Sequence, residues 1–179
     1  MSARREFDIP FIGLKPGVHS YQYEISDKFF ADYGPQDFSN CQAVVKLSLE
    51  KNVGFLMLKF DVGGSLDVTC DRCGNTVSLQ LWDEFKVLVK LVDDADKMNA
   101  EEEDPDIFYI NRSESYIHIK DWVYEFVNLS IPATRICPPT PSGDTGCNEE
   151  VLEKLKEMRP EEQSAKSIWK GLDKIKGLN

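Results

Sequence analysis

Histidine is scarce in this sequence, and the motifs that organise hydrolytic catalysis are missing. Only two histidines, His19 and His118, occur in 179 residues. No His-Glu-x-x-His, Gly-x-Ser-x-Gly or Walker-type glycine loop is present. His118 lies in an alternating apolar stretch, where a hydrogen-bonded structural role is commoner than that of a base. We therefore expect a protein that is not an enzyme, and no small-molecule substrate is evident.

Long apolar runs and clusters of basic residues are also lacking. The longest apolar runs have the length of a β-strand, so no membrane-spanning helix is expected. The N-terminal arginines are not followed by an apolar segment, which argues against a secretory signal and makes the cytoplasm the expected location. The net charge is −10 and no broad Lys/Arg face is evident, so the sequence does not support tight duplex binding by this chain alone.

The chain has five cysteines, an odd number for a sequence without an export signal. Reduced thiols or metal ligation are therefore favoured over a disulfide framework. Cys41 stands alone at the start of an alternating stretch and is predicted to be a small buried hydrophobe. The other four fall into two pairs, Cys70 with Cys73 and Cys137 with Cys147.

The first pair lies in the stretch Cys70-Asp-Arg-Cys73-Gly74, between two alternating runs. Two thiolates at this spacing can bind one metal ion from a single tight turn. Gly74 suits such a turn because it adopts positive φ without a Cβ clash. The stretch predicts half of a tetrahedral zinc site.

Cys137 and Cys147 are the candidates for the other two zinc ligands. Nine residues separate them, whereas compact zinc ribbons usually have roughly two to four between ligands. His19 and His118 therefore remain alternative ligands. A pair of reduced thiols in a β-turn, with no metal, is the other interpretation.

A redox-active Cys-x-x-Cys is the enzymatic alternative. Such a pair normally lies at a helix N-terminus, where the helix dipole lowers the thiol pKa. Here the residues after Cys73 alternate like a strand, and no βαβ pattern surrounds them. The pattern favours a metal site over redox catalysis.

Period-two alternation dominates the middle of the chain and predicts strands at residues 41–50, 53–62, 66–70, 77–82 and 85–91. Consecutive strands with short links indicate an antiparallel meander, which Gly63-Gly64 is expected to interrupt. Residues 120–130 have the period of an amphipathic helix. The predicted class is α+β: an antiparallel β-sheet or partial barrel with a packed amphipathic helix and a C-terminal helical extension.

Two parts are predicted along the chain, an α+β domain over residues 1–147 and a helical extension over 148–179. The acidic segment 93–106 contains eight acidic residues against Lys97 alone, and is expected to be a mobile loop. It can serve as a solubilising insertion or as a contact for a basic partner. Asn148 is expected to cap a helix that begins at the next residue.

Three motifs together resemble the YceD family of large ribosomal RNA subunit accumulation proteins, over roughly residues 44–178. The first is Cys70-Asp-Arg-Cys73 between strands. The second is the acidic-apolar helix of residues 117–132, which ends in Leu-Ser-Ile-Pro. The third is a cysteine-containing loop followed by Trp169-Lys-Gly-Leu172, similar to the closing Trp-x-x-Leu of the family.

The resemblance implies a non-enzymatic role in the accumulation of 23S rRNA and in large-subunit assembly. The implied partner is a large-subunit precursor, a ribosomal protein or 23S rRNA. Arg72 and Arg135 are candidate basic contacts for RNA, and Trp169 is a candidate contact in the C-terminal segment. The alternatives are a zinc-stapled interaction module unrelated to ribosomes and a thiol oxidoreductase.

Overall fold

The period-two alternation of the sequence corresponds to a five-stranded sheet. The computed structural model describes residues 6–141, 143 and 145–158. The elements are β1 Asp8–Ile9, β2 Gly17–Ser26, β3 Phe38–Lys51, β4 Phe55–Thr69, β5 Thr76–Val92, α1 Ala95–Glu101, β6 Ile107–Asn111, β7 Ile117–His118, α2 Lys120–Leu129 and α3 Glu149–Glu157, with 3-10 helices at Phe11–Gly13 and Asp27–Tyr33. The predicted α+β class is confirmed.

The strand order in the main sheet is β2-β3-β4-β5-β6, and β1 pairs with β7 in a separate two-stranded sheet. Strands β2 to β5 form an antiparallel meander. An antiparallel meander was predicted from residue 41 onward, but residues 77–82 and 85–91, predicted as two strands, form the single strand β5. The sheet is not closed and has β2 and β6 at its edges. Among the described residues, no helix has the length and apolar character needed to cross a membrane.

One face of the sheet carries the core, and α2 packs on it. The alternate side chains of β3, β4 and β5 that point to this face are almost fully buried, among them Val45, Leu47, Leu49, Leu56, Leu58, Phe60 and Val89. Phe126 of α2 stacks on Phe85 at 4.4 Å between ring centroids and meets Phe60 edge-on at 5.0 Å. The predicted amphipathic helix is thus present and uses Val123, Phe126 and Val127 as its buried face.

The prediction that Gly63-Gly64 interrupts a strand is wrong, because β4 runs through both glycines. At this point the register of β3 shifts between Ser39 and Gln42, as in a β-bulge. The bulge brings the β3 backbone so close that a Cβ on Gly64 would lie 2.2 Å from the carbonyl oxygen of Gln42. The glycine permits this close approach and so keeps the strand continuous.

The acidic segment is also more ordered than predicted, because it contains α1. The Asp94 side chain accepts a hydrogen bond from the Lys97 N–H and caps this helix. The Asn99 side chain accepts from the Tyr109 N–H at 2.8 Å and donates to the Tyr109 carbonyl at 2.9 Å. Strand β6 pairs with β5 in parallel. Two parallel strands cannot be joined by a short hairpin turn, and here the connection between them contains α1.

The chain divides into two units. The first comprises the residues up to Thr69 together with Thr76–Arg135, and the second comprises Cys70–Asn75 and the residues from Ile136 onward. The domain boundary predicted after residue 147 stays a prediction. Residues 159–179 of the predicted helical extension, which include Trp169, lie outside the described residues.

We predict that Gly64→Ala destabilises the protein by at least about 2 kcal/mol, since the alanine would meet the β3 backbone and would have to adopt a φ of +134°. Gly63→Ala is the matched control, because nothing lies within 4 Å of a Cβ built there. Chemical denaturation gives both free energies of unfolding. Equal stability of the two variants would contradict the close approach.

Candidate metal centre

The turn between β4 and β5 holds the first two thiols. The Cys70 N–H donates to the Asn75 carbonyl at 2.8 Å, and the Gly74 N–H donates to the Cys70 carbonyl at 3.0 Å. Gly74 has a φ of 77°, the left-handed conformation predicted for it. These bonds close a tight turn in which Cys70 and Cys73 are both buried.

The loop between the second pair of cysteines folds back on itself like a small hairpin. Pro139 and Thr145 form an antiparallel bridge. The Gly143 N–H donates to the Thr140 carbonyl at 2.8 Å, and Gly143 has a φ of 88°. The hairpin explains why nine intervening residues do not keep the two cysteines apart.

Gly146 allows the end of this loop to pack closely against its beginning at Cys137 and Pro138. A Cβ on Gly146 would lie 2.4 Å from the Pro138 carbonyl oxygen and 3.5 Å from the Cys137 Cβ. The absent side chain therefore lets Cys147 stand beside Cys137. In the sequence, Gly143 and Gly146 between the two cysteines are the signal for this hairpin. The number of intervening residues alone does not indicate it.

The four thiols converge within the second unit. All four sulfurs, those of Cys70, Cys73, Cys137 and Cys147, lie within 4.8 Å of one another. The Cys70 and Cys147 sulfurs are 3.9 Å apart, and the Cys73 and Cys137 sulfurs are 3.6 Å apart. Four sulfurs bound tetrahedrally at about 2.3 Å from one zinc ion are separated by about 3.8 Å. The cluster could hold a metal ion.

Backbone amides favour the thiolate form of the first pair. Burial raises the pKa of Cys70, but the N–H groups of Arg72, Cys73 and Cys137 outweigh it and bring the pKa below the usual thiol range. The N–H groups of Asn148 and Asn75 likewise lower the pKa of Cys73. Metal ions bind thiolates and not thiols. By favouring the thiolate form of Cys70 and Cys73, these amides favour the binding of a metal cation.

Cys137, in the second pair, differs from the first two thiols in the direction of its pKa shift. Burial, followed by hydrogen bonds with the neighbouring thiols, raises the pKa of Cys137. Several thiolates in one small volume repel one another, and a divalent cation at the centre reverses that repulsion. The arrangement is consistent with a sulfur cluster that ionises fully on binding metal.

The remaining metal-binding candidates of the sequence are engaged elsewhere. His118 Nδ1 lies 2.6 Å from Asp8 Oδ1, and His19 Nε2 lies 2.8 Å from the Lys15 carbonyl oxygen. Across the described part of the chain, the four cysteines are the only group of three or more His, Cys, Asp or Glu residues with this geometry. Burial raises the pKa of Cys41 to about 11, as expected for a buried structural thiol.

The three predicted contact residues have different surroundings. Arg72 is exposed within the turn that carries the first two thiols. Arg135 has a side chain that is 24% exposed, and its Nη1 lies 2.6 Å from Asp37 Oδ2. Trp169 is outside the described residues. Their roles as contacts stay predictions.

Comparison with known proteins identifies one family. The family model described as "Large ribosomal RNA subunit accumulation protein YceD" matches residues 58–176. The match spans most of the chain and includes all four clustered cysteines. No curated protein and no solved structure matches the sequence.

Proposed function

Because the chain belongs to the YceD family of large ribosomal RNA subunit accumulation proteins, we propose that it supports 23S rRNA accumulation and large-subunit assembly by binding and not by catalysis. Its partner is a large-subunit precursor, through a ribosomal protein or 23S rRNA. Its place of action is the cytoplasm. The four-cysteine cluster holds a structural zinc ion in this proposal.

The observation that carries the proposal is that four protein sulfurs surround one point. Catalytic zinc sites keep a position open for water or substrate, whereas structural sites fill all four positions with protein ligands. Cysteine-only tetrahedral sites select zinc or iron over harder ions. A site of this kind stabilises a binding surface and offers no position for a reacting molecule.

A thiol oxidoreductase is the second candidate, because the pKa of Cys70 is lowered. The lowering comes from the N–H groups of Arg72, Cys73 and Cys137, and no helix begins at the Cys-x-x-Cys turn. The sulfurs of Cys70 and Cys73 also face Cys147 and Cys137, which places each thiol beside a sulfur from the other pair. These contacts favour shared metal ligation over a disulfide that opens and closes within the turn.

We predict that the purified protein binds one zinc ion per chain and that Cys137→Ser weakens zinc binding by about a hundredfold or more. Loss of an outer contact of a metal site already costs about 10- to 100-fold in affinity, and loss of a ligand costs more. Competition with a chromophoric chelator gives the affinity.

Cys41→Ala is the matched control for this measurement, since Cys41 lies in β3 outside the cluster. Its zinc affinity should equal that of the unchanged chain. Loss of zinc in Cys41→Ala, or its retention in Cys137→Ser, would show that the cluster is not the site.

Removal of the metal should unfold the second unit and leave the sheet intact. Among the described residues of this unit, the buried side chains are those of Cys70, Cys73 and Cys147. Helix α3 has nine residues and no buried side chain, too little for stability by itself. In hydrogen exchange, a chelator should abolish protection over 136–158 while β3 to β5 stay protected. Unchanged protection at 136–158 would contradict a metal-dependent unit.

In cells, we predict that deletion of the gene lowers 23S rRNA relative to 16S rRNA and that the tagged protein co-sediments with large-subunit precursors. Cys137→Ser should behave like the deletion, and Cys41→Ala like the unchanged gene. RNA quantification and gradient fractions measure the outcome. Normal 23S rRNA, with rapid turnover of a disulfide substrate by the purified protein, would favour the oxidoreductase.

A further inference from the structure

One of the four clustered thiols is more accessible than the other three. Cys70, Cys73 and Cys147 are 2%, 9% and 6% exposed, whereas Cys137 is half-buried. The residues on either side of Cys137 along the chain are both exposed. A small reagent in solution therefore reaches the cluster first at the Cys137 sulfur.

A second thiol lies beside the accessible one. The sulfurs of Cys73 and Cys137 are 3.6 Å apart, and those of Cys70 and Cys147 are 3.9 Å apart. The closer pair thus combines the accessible sulfur with a buried one. A sulfenic acid formed on a cysteine condenses with a neighbouring thiol to give a disulfide. Cys137 and Cys73 have the arrangement of a reacting and a resolving thiol.

Metal ligation puts Cys137 in its reactive form. Thiolates, and not thiols, bind metal ions and attack oxidants. Burial and the neighbouring thiols raise the pKa of Cys137 in the absence of a cation, but as one of four metal ligands it is ionised. The zinc-loaded cluster therefore contains one thiolate that solvent can reach.

We propose that Cys137 is a site of modification by hydrogen peroxide, and that Cys73 completes the reaction by forming a disulfide with it and so releases the metal ion. The proposal rests on the zinc centre proposed above and adds a redox control to it. It differs from the oxidoreductase candidate, because the disulfide joins the turn to the loop and no substrate is turned over.

The reaction consumes one peroxide and two thiolates. The Cys137 thiolate attacks one peroxide oxygen, the O–O bond breaks and hydroxide leaves, which gives a sulfenic acid on Cys137. The Cys73 thiolate attacks that sulfur, the S–S bond forms, the S–O bond breaks and a second hydroxide leaves. The two thiolates lose two electrons and the peroxide gains them, and solvent protonates both hydroxide ions to water.

The disulfide removes two of the four metal ligands. Cys70 and Cys147 remain, and two sulfurs are only half of a tetrahedral set, so the ion is released. The disulfide joins the same two segments that the ion joined, the turn and the loop. Oxidation thus differs from chelation, because it removes the ion without separating these segments. Reduction by a dithiol then restores all four ligands.

The test treats the full chain, loaded with zinc, with one hydrogen peroxide per chain. A chromophoric chelator records zinc release, while alkylation and peptide mass spectrometry record which thiols are consumed. We expect about one zinc ion released per peroxide consumed, loss of alkylation at Cys137 and Cys73, and a cross-linked peptide that contains both. Cys41→Ala, which changes the buried thiol of β3, should respond like the unchanged chain.

Cys137→Ser and Cys147→Ser are the matched variants, because each removes one ligand but only the first removes the accessible sulfur. Both are compared at saturating zinc. Cys147→Ser should still form the disulfide between Cys73 and Cys137. Cys137→Ser should lose its remaining cluster thiols to peroxide about tenfold more slowly, since the sulfurs that remain are buried.

Three results would overturn Cys137 as the modification site. They are retention of zinc by the peroxide-treated chain, a Cys70–Cys73 disulfide as the first product, and equal rates of thiol loss in the two serine variants. A chain that binds zinc and co-sediments with large-subunit precursors, but resists peroxide, fails only this proposal. A chain that binds no zinc fails the proposed metal centre itself, and the modification site with it.

Discussion

The pairing of β4 with β5 is the interaction on which the rest of the structure depends. It runs without a break from Phe55 opposite Lys90 to Thr69 opposite Thr76. Along its length, alternate residues supply the centre of the core. At its end, the two strands are joined by the turn that carries Cys70 and Cys73. One antiparallel pairing therefore builds the sheet and ends in the turn that carries two of the four clustered thiols.

The same pairing also determines which residues lie on the outer face of the sheet. Side chains on a strand alternate between faces. The apolar side chains of the core occupy one face, and the opposite face is free for polar residues, for glycine and for an exposed aromatic residue. Gly63 and Trp82 lie on that opposite face and are paired across β4 and β5. Neither residue contributes a side chain to the core.

Much of this architecture could be predicted from the sequence because its signals are local. Strict alternation from Cys41 onward predicts strands, and the period of residues 120–130 predicts α2. The Cys-x-x-Cys-Gly pattern predicts a tight turn, since thiol spacing and glycine conformation depend on only a few neighbouring residues. Asn148 as a helix cap is local in the same way and was predicted correctly.

The features that escaped prediction depend on contacts between distant segments. From the sequence alone, Gly64 predicts the end of a strand. Its role is evident only once the bulge in β3 is seen to bring the Gln42 backbone against it. The acidic segment lacks apolar periodicity, yet the Asn99–Tyr109 hydrogen bonds tie its helix to β6. Whether Cys137 and Cys147 meet depends on a hairpin between them. In each case the deciding partner is a backbone that the sequence pattern does not locate.

The separation of the cysteines along the chain has a consequence for how stability responds to the environment. Cys73 and Cys137 are 64 residues apart, and the intervening segment contains β5, β6 and α2. The zinc ion proposed for the cluster would close this long loop, which in an unfolded chain costs the entropy of loop closure. Its binding would couple the free zinc concentration to the folding equilibrium by mass action, so the melting temperature should rise with the zinc activity of the buffer.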